Sequence, residues 1–237
     1  MTNLMTTSDP IPPQTLAEMI AYYRARAAEY DAWFYRQGRY DRGEENNRRW
    51  FVETEIVAAA LEEAKLQGHV LELACGTGIW TQRLLPQATR ITAIDASPEV
   101  IEINRGKLND PRVTYVQADL FSWKPSEKYD GIFFGFWLSH VPRERLDAFW
   151  KKVAEALRPG GKVFFVDSLR CHTSTAVDHR LPESGQLMTR RLDDGREFQV
   201  VKNFYEPREI EAAAHSAGMR MSVQSSGEYF LFGDGAL

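Results

Sequence analysis

Apolar side chains recur at helical spacing from Thr15 onward, with Leu16, Met19, Ile20, Tyr23, Ala27, Tyr30 and Phe34 on one face. Gly38 and Gly43 interrupt this run. A second helix carries Trp50, Thr54, Val57, Leu61 and Ala64 on one side, with Gly68 as its expected stop. Past Gly68 the rhythm changes to short apolar runs at 69–74, 90–95, 112–117, 129–135 and 162–167. Helical segments at 79–85, 98–108 and 143–157 separate them, the last with Leu146, Phe149, Trp150, Val153 and Leu157 on one stripe. Strands that are apolar on both faces and alternate with helices predict a parallel sheet covered on both sides. The tail departs from this rhythm. Residues 168–185 show no period, and runs at 186–193 and 196–204 flank Asp194-Gly195, a hairpin signal. A helix over 207–217 stops at Gly218, and 219–224 with 228–232 reads as a closing antiparallel pair.

Composition narrows the classes. The chain has 237 residues, enough for one sizeable core with an appended cap. Its net charge is −4, without a Lys/Arg block, which argues against a nucleic-acid partner. Two cysteines, Cys75 and Cys171, are too few for a disulfide framework and suit a reducing compartment. The first ten residues hold neither a basic nor an apolar export segment, and the longest apolar stretch is too short to span a bilayer. A cytoplasmic protein without a membrane partner is the expectation. The histidines His172, His179 and His215 lack metal-ligand spacing, so no metal is expected.

The candidate chemistry starts at Val70-Leu71-Glu72-Leu73-Ala74-Cys75-Gly76-Thr77-Gly78-Ile79, a strand running into a glycine turn and a helix. Such a turn lets backbone approach a ligand closely. Thr81 stands where a nicotinamide fingerprint wants its third glycine, and no Gly-Lys-Ser/Thr follows for a triphosphate. Asp95 closes the second strand, placed to accept from both hydroxyls of a ribose. After the third strand, Ala118-Asp119-Leu120-Phe121 offers an acid and apolar walls suited to adenine.

Four ordered motifs then carry a resemblance. Glu72-Leu73-Ala74-Cys75-Gly76-Thr77-Gly78, Ala93-Ile94-Asp95-Ala96-Ser97, Gln117-Ala118-Asp119-Leu120 and Leu157-Arg158-Pro159-Gly160-Gly161 resemble those of class I, Rossmann-like methyltransferases that use S-adenosylmethionine. The match covers about residues 68–167, with Ala74 where the commonest pattern has its first glycine. The resemblance implies a doubly wound, mostly parallel α/β sheet with an antiparallel C-terminal strand and helices on both faces. An N-terminal helical lid would be added. It divides the chain into a flexible 1–14, a lid at 15–67, and a core at 68–237 with a substrate-side excursion at 168–204.

Site roles follow from the same resemblance. Ala74, Gly76 and Gly78 would bracket the amino-acid end of the cofactor, Glu72 would support the loop and the ammonium, and Asp95 would hold the ribose. Asp119 and Leu120 would take the adenine edge, with Ala96 and Leu120 as walls. Tyr23, Tyr30 and Phe136 are expected beside the cofactor, with Trp33, Trp137 and His140 toward the acceptor. Aromatic faces near a sulfonium also gain cation–π attraction. His140, just after the fourth strand, is the candidate general base for a hydroxyl or phenol; toward a carboxylate it would only orient. Gly135-Phe136-Trp137-Leu138 replaces the Pro-Pro-aromatic motif of DNA amino-methylating enzymes, and the glutamate pair of arginine methyltransferases is missing.

The expected activity is O-methylation of a hydroxyl, phenol or carboxylate on a small acceptor with an apolar part, yielding S-adenosylhomocysteine. The competing readings are N- or C-methylation of a quinone-type metabolite, a non-catalytic S-adenosylmethionine-binding module, and a nicotinamide oxidoreductase. Monomer and homodimer are both open.

Overall fold

The computed structural model describes residues 10–237. Helices α1 (Pro13–Ala25), α2 (Tyr30–Phe34) and α3 (Glu44–Ala64) precede strand β1 (Gly68–Leu73). Then come α4 (Thr81–Leu84), β2 (Ala88–Asp95), α5 (Pro98–Leu108), β3 (Val113–Gln117), β4 (Tyr129–Gly135), α6 (Leu146–Ala156) and β5 (Leu157–Ser168). The tail supplies β6 (Leu187–Arg191), β7 (Glu197–Val201), α7 (Pro207–Ser216), β8 (Arg220–Ser225) and β9 (Phe230–Ala236).

Seven strands form one sheet in the order β3-β2-β1-β4-β5-β9-β8, and β9 alone runs antiparallel to its neighbours. β6 and β7 pair separately as the hairpin that Asp194-Gly195 signals. The sheet's two faces bury different partners. Trp50, Val57 and Leu61 of α3 pack with Val70, Phe133, Phe164 and Phe230, while Trp150 and Val153 of α6 pack with Leu71, Ile132 and Phe165. α3 is therefore a covering layer of the sheet rather than part of a lid. The strand order reverses between β1 and β4, so the crevice beyond their carboxyl ends is the natural ligand site.

Several boundaries differ from the sequence expectation, each for a local reason. Residues 1–9 of the expected flexible N-terminus lie outside the described residues. Of the remainder, Ile11 is buried, with its N–H bonded to Glu144, and α1 already begins at Pro13. The first helical run breaks between Ala25 and Tyr30, where Arg26 turns inward among Tyr22, Tyr30 and Tyr40. α3 ends before Lys65, which adopts the left-handed conformation, so Gly68 is not its stop. Gly68 instead leaves space for Asp130, whose Oδ2 a Cβ would meet at 2.5 Å. The helix expected over 79–85 shortens to Thr81–Leu84, and that over 143–157 opens with a 3-10 turn at Arg143–Arg145 after Pro142.

Candidate functional site

Backbone geometry shapes the crevice first. Ala74 at the end of β1 and Phe136 after β4 both have φ +56°, in the left-handed region that non-glycine residues rarely adopt. Such strain costs of order 1–3 kcal/mol and persists where surroundings enforce it. Gly76 follows at φ +52°, and nothing lies within 4 Å of where its Cβ would sit, so its backbone faces open space. Gly78 serves packing: a Cβ there would meet Asn104 Oδ1 at 2.6 Å, and Gly78 does not line the crevice.

A crevice opens above these strand ends. It brings together Tyr23, Tyr30, Ala74, Gly76, Asp95, Ala96, Asp119, Leu120, Phe136, Trp137 and His140, as the motifs require. Met19 and Ile20 of α1 and Val100 of α5 complete its walls. Asp95 accepts from the Gly76 N–H at 3.0 Å and the Ser97 N–H at 2.9 Å, while burial pushes its carboxyl above the usual range. Asp119 Oδ1 accepts from the Phe121 N–H at 2.9 Å.

Glu72 and Trp33 line the adjoining pocket behind Gly76. Glu72 is buried with Oε2 unpartnered, and burial pushes its carboxyl up to about 8 against the Thr81 hydroxyl's opposing pull. An orphaned buried carboxyl beside exposed turn backbone fits the ammonium of an amino-acid ligand. With the Asp95 carboxyl lining the neighbouring crevice, the residues present are compatible with S-adenosylmethionine. Cys75 is buried and its thiol is pushed up by burial, which makes it a poor nucleophile. Among the described residues no three His, Cys, Asp or Glu side chains are grouped to hold a metal ion.

His140 sits between this cavity and a second one. Its Nδ1–H donates to the Val201 carbonyl at 2.6 Å, because a carbonyl can only accept. Nε2 is then the bare nitrogen, and it accepts from the Tyr23 hydroxyl at 2.7 Å. Burial, with Lys202, Arg190 and Arg26 nearby, holds the imidazole pKa well below its ordinary value. The ring is neutral, and both its nitrogens are engaged.

The second cavity shares Tyr23, Tyr30, Phe136 and His140 with the first. Among the described residues its lining holds three cations, Arg26, Arg190 and Lys202, and no carboxylate. They are 4%, 8% and 5% exposed, and the Nε atoms of both arginines have no partner. Lys202 donates to Ser139 Oγ at 2.8 Å and lies 3.5 Å from Asp167, and burial lowers its pKa to about 8. Trp33, Phe204 and Leu181 supply apolar walls, and Trp33 Nε1 donates to the Ser174 carbonyl at 2.8 Å. The motifs did not point to these cations. For Arg26 a signal exists: it stands four residues from both Tyr22 and Tyr30 on an otherwise apolar face. Arg190 and Lys202 lie on the hairpin, where nothing local marks them.

Residues 70–161 match the family described as a methyltransferase domain. Over 176 residues the chain is 29% identical to the ubiquinone biosynthesis O-methyltransferase of Xanthomonas axonopodis pv. citri (strain 306), covering 72% of this chain and 69% of that one. It is 37% identical over 73 residues to malonyl-[acyl-carrier protein] O-methyltransferase 1 of Ilyobacter polytropus, and that match spans 30% of this chain and only 27% of the relative. A solved structure described as a DhpI-SAM-HEP complex aligns with TM-score 0.80 and 35% identity, over 95% of this chain and 99% of that one.

Proposed function

The chain belongs to the class I S-adenosylmethionine-dependent methyltransferases, and from that premise we propose that it methylates an oxygen of a small acceptor bearing an oxyanion. Membership sets aside the nicotinamide reading. One observation carries the proposal: Arg26, Arg190 and Lys202 converge, buried, on a cavity without a carboxylate beside the cofactor crevice. Buried cations that keep unsatisfied N–H donors, as both arginines do at Nε, are costly, and a complementary anion is what relieves them. Guanidinium forks also match the planar edge of a carboxylate or phosphate bidentately.

S-adenosylmethionine, when bound, supplies a methyl group already activated on its sulfonium. The protein then has to align, desolvate and hold charge rather than supply covalent chemistry. An oxyanion is a nucleophile without losing a proton, so no general base is needed. His140 accordingly orients Tyr23 instead of abstracting a proton, and Tyr23 fixes the boundary between the two cavities. Phe136, Trp33 and Leu181 exclude water from the acceptor. The new O–C bond would use an acceptor lone pair while the methyl–sulfur bond breaks with its pair kept on sulfur, giving S-adenosylhomocysteine and a methyl ester with one negative charge fewer.

Paired acceptors test this. Carboxylic acids and monoalkyl phosphates, each beside its neutral amide or triester, are offered with S-adenosylmethionine carrying a labelled methyl group. Label is expected only in products from the anionic members. Equal labelling of the neutral members overturns the proposal.

A further inference from the structure

Arg190 enters the acceptor cavity from β6, and its surroundings differ from those of most buried arginines. Among the described residues no carboxylate pairs with it. Its Nη1 donates to the Thr175 hydroxyl at 3.0 Å and lies 3.3 Å from the His179 ring. His179 is buried, and its Nε2 lies 2.9 Å from the Arg191 nitrogen and 3.1 Å from the Arg191 carbonyl oxygen. A neutral imidazole has one bare and one protonated nitrogen. Either neutral tautomer continues the chain: a bare Nδ1 accepts from Arg190 Nη1 at 3.3 Å while Nε2–H donates to the Arg191 carbonyl at 3.1 Å, and a protonated Nδ1 donates to the Thr175 hydroxyl at 3.3 Å. Backbone, ring and hydroxyl thus form a chain of uncharged groups that ends on the guanidinium.

Building on the oxyanion reading, we propose that His179 and Thr175 are positioning residues, a charge-free clamp that aims Arg190 at the acceptor. A carboxylate in their place would hold the guanidinium equally still but would cancel the charge the acceptor needs. Neutral partners fix the fork and leave its charge available. The carboxylates nearby are spent elsewhere: Asp178 and Asp193 both pair with Arg39, on the outer side of His179. Burial, with Arg190 and Arg39 close by, lowers the His179 pKa to about 3, so the clamp stays uncharged throughout the neutral range. Protonation of this ring would add a cation directly against two others.

The test titrates inorganic phosphate, and separately acetate, into the full chain saturated with S-adenosylhomocysteine. Wild type is compared with Thr175→Val, His179→Phe, His179→Gln and Arg190→Gln. The clamp predicts that Thr175→Val and His179→Phe weaken oxyanion binding by about tenfold, while S-adenosylhomocysteine affinity stays within about twofold. His179→Gln, which keeps a polar group able to reach Thr175, is expected to recover part of the loss. Unchanged oxyanion binding in Thr175→Val and His179→Phe, with a loss in Arg190→Gln, overturns the clamp and leaves the oxyanion reading standing. Indifference of Arg190→Gln itself, or no binding of either anion by wild type, overturns both. Thr175→Val is nearly isosteric, so it decides the matter even where His179→Phe fails to fold. Whether phosphate or acetate binds more tightly separates a tetrahedral from a planar acceptor head.

Discussion

The Tyr23 hydroxyl lies 2.7 Å from His140 Nε2, on the one ring nitrogen that the Val201 carbonyl leaves free. The two residues therefore form a hydrogen-bonded unit at the junction of the two cavities. Tyr23→Phe and His140→Ala should each lower kcat by about tenfold, equivalent to ~1.4 kcal/mol. The double variant should be no slower than the slower single one, because contacting partners share one interaction. Steady-state kinetics on all three decide it. Additive losses, or an acidic limb in the kcat profile that disappears with His140, would restore the ring as an independent base.

Asp95 holds two backbone N–H groups of the cofactor loop and faces the cavity. Asp95→Asn should weaken S-adenosylhomocysteine binding more than about tenfold, since hydrogen bonds to a charged group contribute ~1.5–3 kcal/mol each. Calorimetry measures it directly, and unchanged affinity would remove Asp95 from the ribose site.

Glu72 gives a pH signature in the ligand-free protein. Its carboxyl is raised from the usual range to about 8, so between those values the folded state holds a proton that the unfolded state has released. Stability from this group is fully present at low pH and is lost as pH rises through about 8. Glu72→Gln should remove that dependence and raise Tm at pH 8.5 by about 2–4 °C, as expected for ~1 kcal/mol in a chain of this size. The same substitution should weaken S-adenosylmethionine, whose ammonium loses its carboxylate. Thermal melts across pH check the first effect, and a Tm difference that does not change with pH would contradict it.

Lys202 gives a second pH signature, read in anion binding rather than in stability. Its ammonium is lowered to about 8, so its charge is present below that pH and lost above it. With S-adenosylhomocysteine saturating, acetate affinity should fall as pH rises through about 8, and Lys202→Met should abolish the slope. Acetate is ionised throughout this range, so its own titration does not intrude. A slope that survives in the variant would assign the dependence to another group.

The cofactor half of the site was legible in the chain because each of its parts is local. The turn Ala74–Gly78, the strand-end acid Asp95 and Asp119 after β3 sit at fixed offsets along a strand–helix rhythm. The acceptor half is assembled from distant pieces. Arg26 follows α1, Arg190 lies in β6 and Lys202 just after β7, and only tertiary packing brings them together. The Asp194-Gly195 turn signal predicted the β6–β7 hairpin but not which face would look into a cavity. The tautomer of His140 also needed structure, because a carbonyl 61 residues away fixes it.

The most direct measurement of the central claim follows the atom that receives the methyl. Protein is incubated with S-adenosylmethionine bearing a carbon-13 methyl group and an accepted acid, and the product is read by NMR and by anion-exchange mobility. The account predicts a label bonded to oxygen of the former oxyanion, in a product that carries one negative charge fewer. A label on nitrogen or carbon, or on a hydroxyl of a product that keeps its full charge, would contradict it.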